Sequence, residues 1–314
     1  MLKTRWTGKA PLLVILGATA TGKTGLALQL AESLDGEIVG ADSRQIYRGM
    51  DIGTAKPNAE QRARVRHHLV DIADPDENPG LATIQGLANA AIADIQHRGR
   101  LPLLVGGTGQ YLSAIVEGWR IPEVPPNETL RSELEAYARS QGSGALHRRL
   151  AEVDPVTAAR THPNNVRRVV RSLEVWHATG QAVSEQQKRL PPPWKVLQLG
   201  LQLERGALYA RVDQRFDAMI EAGFVGEVRD LLQAGYSRDL PSMSGLGYRQ
   251  LAAHLLDGLP LPEAIAAART ATHDFIRRQL TWFRGHHAAI RWLDAASLDS
   301  QAIADDLWRW LPDT

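Results

Sequence analysis

Pro11-Leu-Leu-Val-Ile-Leu-Gly17-Ala-Thr-Ala-Thr-Gly-Lys23-Thr24 decides how the rest of the chain is read. Pro11 to Leu16 is an unbroken apolar run, the pattern of a strand buried on both faces of a parallel sheet. Gly17 to Thr24 fits G-x-x-x-x-G-K-[ST], and Gly25 to Ser33 continues as a helix. Strand, glycine loop and helix in that order are the context a phosphate-binding loop requires. The backbone N–H groups of Gly17, Ala18, Thr19, Ala20, Thr21 and Gly22 then turn inward toward phosphate oxygens. The helix N-terminus adds partial positive charge, and Lys23 adds a full one. Thr24 is placed to offer its hydroxyl to Mg²⁺. The stretch predicts a protein that binds a di- or triphosphate.

Composition narrows the field. With 314 residues the chain can bury a large core in one to three domains. Lys and Arg total 36 against 35 Asp and Glu, so any surface for a polyanion must be local. The absence of cysteine excludes disulfides, thiolate chemistry and Cys-ligated zinc, and favours a reducing compartment. No apolar run reaches membrane-spanning length. Lys3, Arg5 and Lys9 before Ala10 to Leu16 superficially resemble a secretory signal. Cleavage there would destroy the phosphate loop, so the expected location is the cytoplasm.

Working outward, Glu37 to Ala41 reads as a second strand that ends in Asp42-Ser43-Arg44-Gln45. His68 to Ile72 is a further strand candidate. Leu81 to Arg98 carries Ile84, Leu87, Ala88, Ala91 and Ile95 at helical spacing. Leu101 to Val105 is another buried-strand run, leading into Gly106-Gly-Thr108-Gly-Gln-Tyr111. Strands alternating with helices predict an α/β fold, a P-loop NTPase-like parallel sheet with flanking helices. Near Ile121-Pro-Glu-Val-Pro-Pro126 the strand signals stop, and they resume at Val196 to Leu203, after Pro191-Pro-Pro193. The reading is a core domain over 1–120 and 194–314, with a helical domain inserted over 121–193. Helices are expected at about 207–222, 225–234, 245–257 and 261–284, and a last strand over Ala289 to Leu293.

Asp42 follows the second strand at the edge where parallel sheets bind ligands, so it can serve Mg²⁺ through water or act as a general base. As the alternative it caps a turn. Thr108 faces the same edge, with a hydroxyl for substrate or for its own turn. In the insertion, Arg160, Arg167, Arg168 and Arg171 occur with no acidic residue between Pro155 and Leu173. Val166, Val169, Val170 and Leu173 form the buried stripe, which leaves a cationic face for a polyanion or for solvent. Ser244-Gly-Leu-Gly247-Tyr248-Arg249-Gln250 combines an aromatic and an arginine suited to stacking on a base and holding its backbone. Arg211 and Arg215 lie one helical turn apart and can reach pyrophosphate; Arg215 can equally pair with Asp217 or Glu221. Arg269, Arg277, Arg278 and Arg284 punctuate a helix that also holds Gln279, Thr281 and Trp282. The pairs His67-His68 and His286-His287 lack metal-ligand spacing.

Together these stretches are similar to the bacterial tRNA dimethylallyltransferase family. The resemblance is carried by Gly17 to Thr24, Asp42 to Pro57, Gly106 to Tyr111, His162-Pro-Asn-Asn165, Gly247 to Gln250 and Arg278 to Trp282. It runs in order from about residue 11 to about 285, and the Asp42 to Pro57 stretch is its most specific part. It implies transfer of a dimethylallyl group from its diphosphate to N6 of the adenosine 3′ of the anticodon, with Mg²⁺. The phosphate loop and Arg215 would grip the diphosphate rather than ATP. Asp42 would act as base on N6 with Thr108 beside the reacting centre. Asp42, Ser43, Arg44, Gln45, Thr108, Arg131, Arg167, Arg168, Arg171, Gly247, Tyr248 and Arg249 would meet tRNA. A monomer is expected. The zinc finger of eukaryotic relatives cannot be present in a chain without cysteine.

Three rival readings share the loop: an adenylate isopentenyltransferase, a nucleotide or small-molecule kinase, and a non-catalytic RNA-binding NTPase switch. The long insertion with its arginines argues for a large acceptor. Asp42 with Ile52 to Pro57 disfavours the kinase and the switch.

Overall fold

The structure is a computed structural model and describes residues 6, 8–186, 189–190, 192–285 and 290–311. Lys3, Arg5, Pro191 and the His286-His287 pair lie outside these residues. The chain divides into two compact units, Met1–Val116 with Pro192–Thr314, and Glu117–Pro191.

In the first unit, strands β1 (Pro11–Gly17), β2 (Gly36–Ala41), β3 (His67–His68), β4 (Leu101–Gly106), β5 (Lys195–Gln202) and β6 (Ile290–Asp294) form one sheet. Its order is β3-β2-β4-β1-β5-β6, and every pairing is parallel. β1 lies in the middle, flanked by β4 and β5, and all seven of its residues are buried. That is why it reads as a continuous apolar run rather than an alternating one. Elements before the insertion lie to the β4 side of β1 and later strands to the β5 side. The switch point therefore falls at the C-terminal end of β1, where such sheets bind ligands.

Helices α1 (Lys23–Ser33), α2 (Ala59–Arg64), α3 (Leu81–His97) and α4 (Gly109–Val116) belong to the first half of this unit. In α3 the buried stripe is Ile84, Ala88, Ile92 and Ile95, and Leu87 is 44% exposed. Ile92 takes the place that the sequence reading gave to Leu87. The expected strand over His68 to Ile72 stops at His68, because Leu69 and Asp71 adopt left-handed backbone (φ +62° and +56°).

The second unit holds α5 (Glu128–Gln141), α6 (Ser143–Val153), α7 (Pro155–Ala159), α8 (Val166–Thr179) and α9 (Val183–Gln186). Leu134, Ala138, Leu146, Leu150, Ala158, Val169, Val170 and Leu173 form a core of its own. Its boundary takes in Gly118 and Trp119, which sequence reading left in the sheet unit. The Leu190 N–H donates to the Gly118 carbonyl at 2.9 Å, and Trp119 bridges antiparallel to Arg189. The two ends of the insertion thus fasten to each other.

After β5 the first unit continues with α10 (Arg205–Glu221), α11 (Phe224–Gln233), α12 (Tyr248–Asp257), α13 (Leu261–Arg284) and, beyond β6, α14 (Ser300–Trp310). No element is expected from the sequence after residue 295, yet α14 forms there. α14 buries Ala304 and Leu307 in the cluster formed by α1 and one face of the sheet. Among the described residues no helix is long and apolar enough to cross a membrane.

Candidate functional site

β1 ends at Gly17, where φ is +148° and an added Cβ would stand 2.6 Å from the Leu201 carbonyl oxygen. Only glycine lets the loop leave the sheet here. The loop then curls into α1, and the Lys23 ammonium donates to the Ala18 carbonyl at 2.7 Å, while Thr21 Oγ1 donates to the same oxygen at 2.9 Å. Burial pushes the Lys23 pKa down to about 8; Asp42 opposes the shift and Arg215 adds to it. Burial likewise lowers the Arg215 pKa, against Asp42. Lys23, Arg215 and Asp42 therefore stand close enough to feel one another. Among the described residues no carboxylate forms an ion pair with Arg215, and Asp217 pairs with Arg269 instead. The salt-bridge alternative for Arg215 does not hold.

Asp42 follows β2 directly and sits level with this loop. Its Oδ1 accepts the Arg44 N–H at 2.8 Å, an Asx-turn that orients the carboxylate. The turn-capping role and a chemical role thus use different parts of one side chain. The Ser43 N–H donates to Thr108 Oγ1 at 3.2 Å, and the Thr108 N–H donates to the Ala41 carbonyl at 3.3 Å. The ends of β2 and β4 are tied together, which brings Thr108 beside Asp42. Burial, then Tyr47 and Asp42, push the nearby Tyr111 hydroxyl up to about 12.

Several expectations need correction. Thr19 offers no free N–H to a phosphate, because it donates to Gln279 Oε1 at 3.0 Å. Tyr248 cannot stack on a base: it is 1% exposed, its ring meets Phe224 edge-on at 4.8 Å, and its hydroxyl donates to Glu227 at 2.6 Å. Gly247 is buried beside it, with Phe224 where a side chain would go, so of Gly247, Tyr248 and Arg249 only Arg249 is exposed. Arg44 is engaged by the Pro241 carbonyl at 2.6 Å and Ser244 Oγ at 3.2 Å, and Gln45 by the Thr54 and Ala55 carbonyls.

The stretch from Asp42 to Pro57 is held from both sides. Glu227 accepts the N–H groups of Asp51, Ile52 and Gly53. Buried Lys56 donates to Asp51, Asp71 and the Tyr47 carbonyl. Much of what makes this stretch distinctive in sequence is internal bracing.

In the helical unit, α8 is capped by Asn165 and buries Val169, Val170 and Leu173, with Val166 packed at the edge. Arg167 and Arg168 are exposed. Arg171 is not part of an unpartnered cationic face. The carboxylate of Glu174, 1% exposed, takes Arg171, the Arg131 Nε at 2.8 Å and the Asn127 N–H at 2.7 Å. Burial acts against its ionisation, but these donors hold its pKa below the usual carboxylate range. The acid that neutralises the pair follows Leu173 directly, just beyond the stretch without acidic residues.

A parallel sheet whose central strand opens through a glycine loop onto a helix N-terminus, with a lysine enclosed by that loop, defines a P-loop-type phosphate-binding protein. Residues 45–286 match the model of the IPP transferase family, and residues 10–73 that of isopentenyl transferases. A tRNA dimethylallyltransferase of Roseiflexus sp. (strain RS-1) is 56% identical over 274 residues, 87% of this chain and 90% of that one. The corresponding protein of Herpetosiphon aurantiacus is 48% identical over 298 residues, 95% and 94% of the two chains. A full-length tRNA isopentenylpyrophosphate transferase structure from Bacillus halodurans superposes with a TM-score of 0.70 at 40% identity, covering 96% of this chain and 95% of that one. A eukaryotic dimethylallyltransferase acting on tRNA gives a TM-score of 0.82 at 28% identity, covering 97% and 81%. The chain belongs to the IPP transferase family.

Proposed function

We propose that this enzyme transfers the dimethylallyl group of dimethylallyl diphosphate to N6 of the adenosine on the 3′ side of the tRNA anticodon, releasing pyrophosphate. The observation that carries the reading is the meeting of a phosphate loop with Asp42 and Arg215 at one sheet edge, in a chain of this family.

The exocyclic amine of adenine is a poor nucleophile because its lone pair is delocalised into the ring. Alignment of N6 with C1 of the allyl group supplies much of the acceleration. As the N6–C1 bond forms and the C1–O bond breaks, the free oxygen of Asp42 accepts the N6 proton. The Arg44 N–H on Oδ1 keeps that carboxylate from turning away. Thr108 Oγ1 already accepts the Ser43 N–H, which leaves its own proton to donate. Lys23, Arg215 and the remaining loop N–H groups take the charge that grows on the departing pyrophosphate. The target base must leave its stack to arrive there.

The exposed Thr24 hydroxyl lies in the first turn of α1, and no cluster of three His, Asp or Glu able to hold a metal occurs among the described residues. This donor set fits Mg²⁺, which keeps several waters and takes its other ligands from phosphate. Thr24 would hold it, with Asp42 reaching it through water. Bound there, the ion would neutralise charge on the diphosphate.

Arg167, Arg168 and Arg249, exposed and basic, would take tRNA phosphates. One chain supplies every group in this scheme, so the enzyme acts as a monomer, in the cytoplasm with its tRNA.

The test incubates the purified chain with radiolabelled dimethylallyl diphosphate, Mg²⁺ and either unmodified tRNA or AMP. Label recovered from tRNA as N6-dimethylallyladenosine is expected. Label on AMP would move the chain to the adenylate isopentenyltransferases, and phosphate release from ATP alone to the kinases or NTPases.

A further inference from the structure

Gln279 joins two loops that the proposed reaction needs to hold apart by a set distance. Its Oε1 accepts the Thr19 N–H of the phosphate loop at 3.0 Å, and its Nε2 donates to the Gly107 carbonyl at 2.8 Å. Thr19 follows β1, and Gly107 follows β4, immediately before Thr108. The side chain is 6% exposed and stands in the buried stripe of α13 with Ile276 and Phe283. An amide in such a stripe is costly unless both of its ends are bonded. Here both are, and to backbone groups on either side of the site.

The surroundings are shaped to this amide. A Cβ on Gly107 would lie 2.5 Å from Gln279 Nε2, so the approach needs glycine there. One turn along α13, Trp282 covers Gly109, where a Cβ would come within 2.2 Å of the ring. The last turns of α13 therefore grip the turn between β4 and α4 at two nearby points, Gly107 and Gly109.

We infer that Gln279 is a positioning residue for prenyl transfer: it fixes the phosphate loop, which carries the donor, against the Thr108–Asp42 edge, which receives the amine. This rests on the proposed function. Gln279 touches neither reactant. A displacement of about 1 Å between reacting atoms is enough to cost about 10²-fold in rate, so a clamp across the two loops acts on kcat.

The test compares Gln279→Met, Gly107→Ala and the double variant, reading kcat, the KM for dimethylallyl diphosphate and for tRNA, and thermal melting. Gly107→Ala guards against misfolding by the first variant, because the nearest atom its Cβ meets is the end of a flexible side chain, with the Gly17 carbonyl oxygen next at 3.3 Å. Each single variant is expected to lower kcat by about 10- to 100-fold with both KM values within about 3-fold of wild type. The double variant is expected to be no slower than the worse single, because both changes remove the same pair of bonds. Wild-type kcat in a folded Gln279→Met protein, or losses that multiply in the double, would overturn the assignment. Lowered melting with unchanged kcat would likewise make Gln279 a packing residue only. A wild-type chain that labels no tRNA in the same assay overturns the proposed function, and this assignment with it.

Discussion

The sheet edge and helix α8 both present basic side chains, Lys23 and Arg215 at the one and arginines along the other, and they use them in opposite ways. At the sheet edge Lys23 and Arg215 are crowded by burial and by each other, with only Asp42 opposing. In α8 the buried carboxylate of Glu174 absorbs Arg171 and reaches back to Arg131 on α5. Cations left without a matched carboxylate under burial await an anionic ligand; cations matched around a buried acid are part of the scaffold. Charge density in sequence does not separate the two cases. The partners do.

Four measurements would break or sharpen this contrast. The largest effect is expected at Asp42: Asp42→Ala should lower kcat by about 10²-fold or more with tRNA binding nearly intact. Wild-type turnover in that variant would remove Asp42 as the base. Next, Glu174→Ala strands two arginines and should destabilise the helical unit by about 2 kcal/mol, the usual loss being discounted because both arginines are partly exposed. A thermal melt unchanged from wild type would show that Glu174 is not the hub.

The third concerns pH. In the free protein burial lowers the Lys23 pKa from the ordinary 10.5 to about 8. Its charged form binds diphosphate, so affinity for inorganic pyrophosphate, corrected for the ligand's own ionisation, should fall by up to about tenfold per pH unit above pH 8. Calorimetric titration that finds no fall by pH 9.5 would place the ammonium outside the site. Because burial disfavours the protonated lysine, the same group favours folding more as pH rises from 8 toward 10.5. The smallest effect is expected at the exposed arginines. Arg167→Ala with Arg168→Ala should reduce the salt slope of tRNA binding by about one per lost phosphate contact, while Arg171→Ala alone lowers melting and leaves the slope unchanged. A slope change in Arg171→Ala would erase the distinction.

What sequence could reveal followed the range of the interactions. The strand, glycine loop and α1 were legible because their signals are local: a fully buried strand, a glycine at a forbidden Cβ position and a lysine at fixed spacing. The expected strand after His67 ended early because left-handed Leu69 and Asp71 carry no strong sequence mark. Arg171 looks like a free cation because its acid lies just past the acid-free stretch, and Tyr248 looks like a stacking platform because an aromatic beside glycines reads alike whether it faces a base or Phe224. Gln279 had a readable sign, a polar residue on the apolar stripe of α13, but its partners lie 260 and 172 positions away. No local pattern encodes such a bond.

The order of the strands has a consequence for how the chain is made. β1 needs both β4 and β5 beside it, yet β5 begins only at Lys195, after the whole insertion. During synthesis the central strand therefore waits with one edge unpaired while Glu117–Pro191 emerges. The insertion's core comes entirely from its own helices, so its contacts are short in sequence and form quickly. It can condense first and draw its fastened ends together. β5 is then delivered to the waiting edge by a folded spacer rather than by a long loose loop, which shortens the time that edge is open to pairing with another chain.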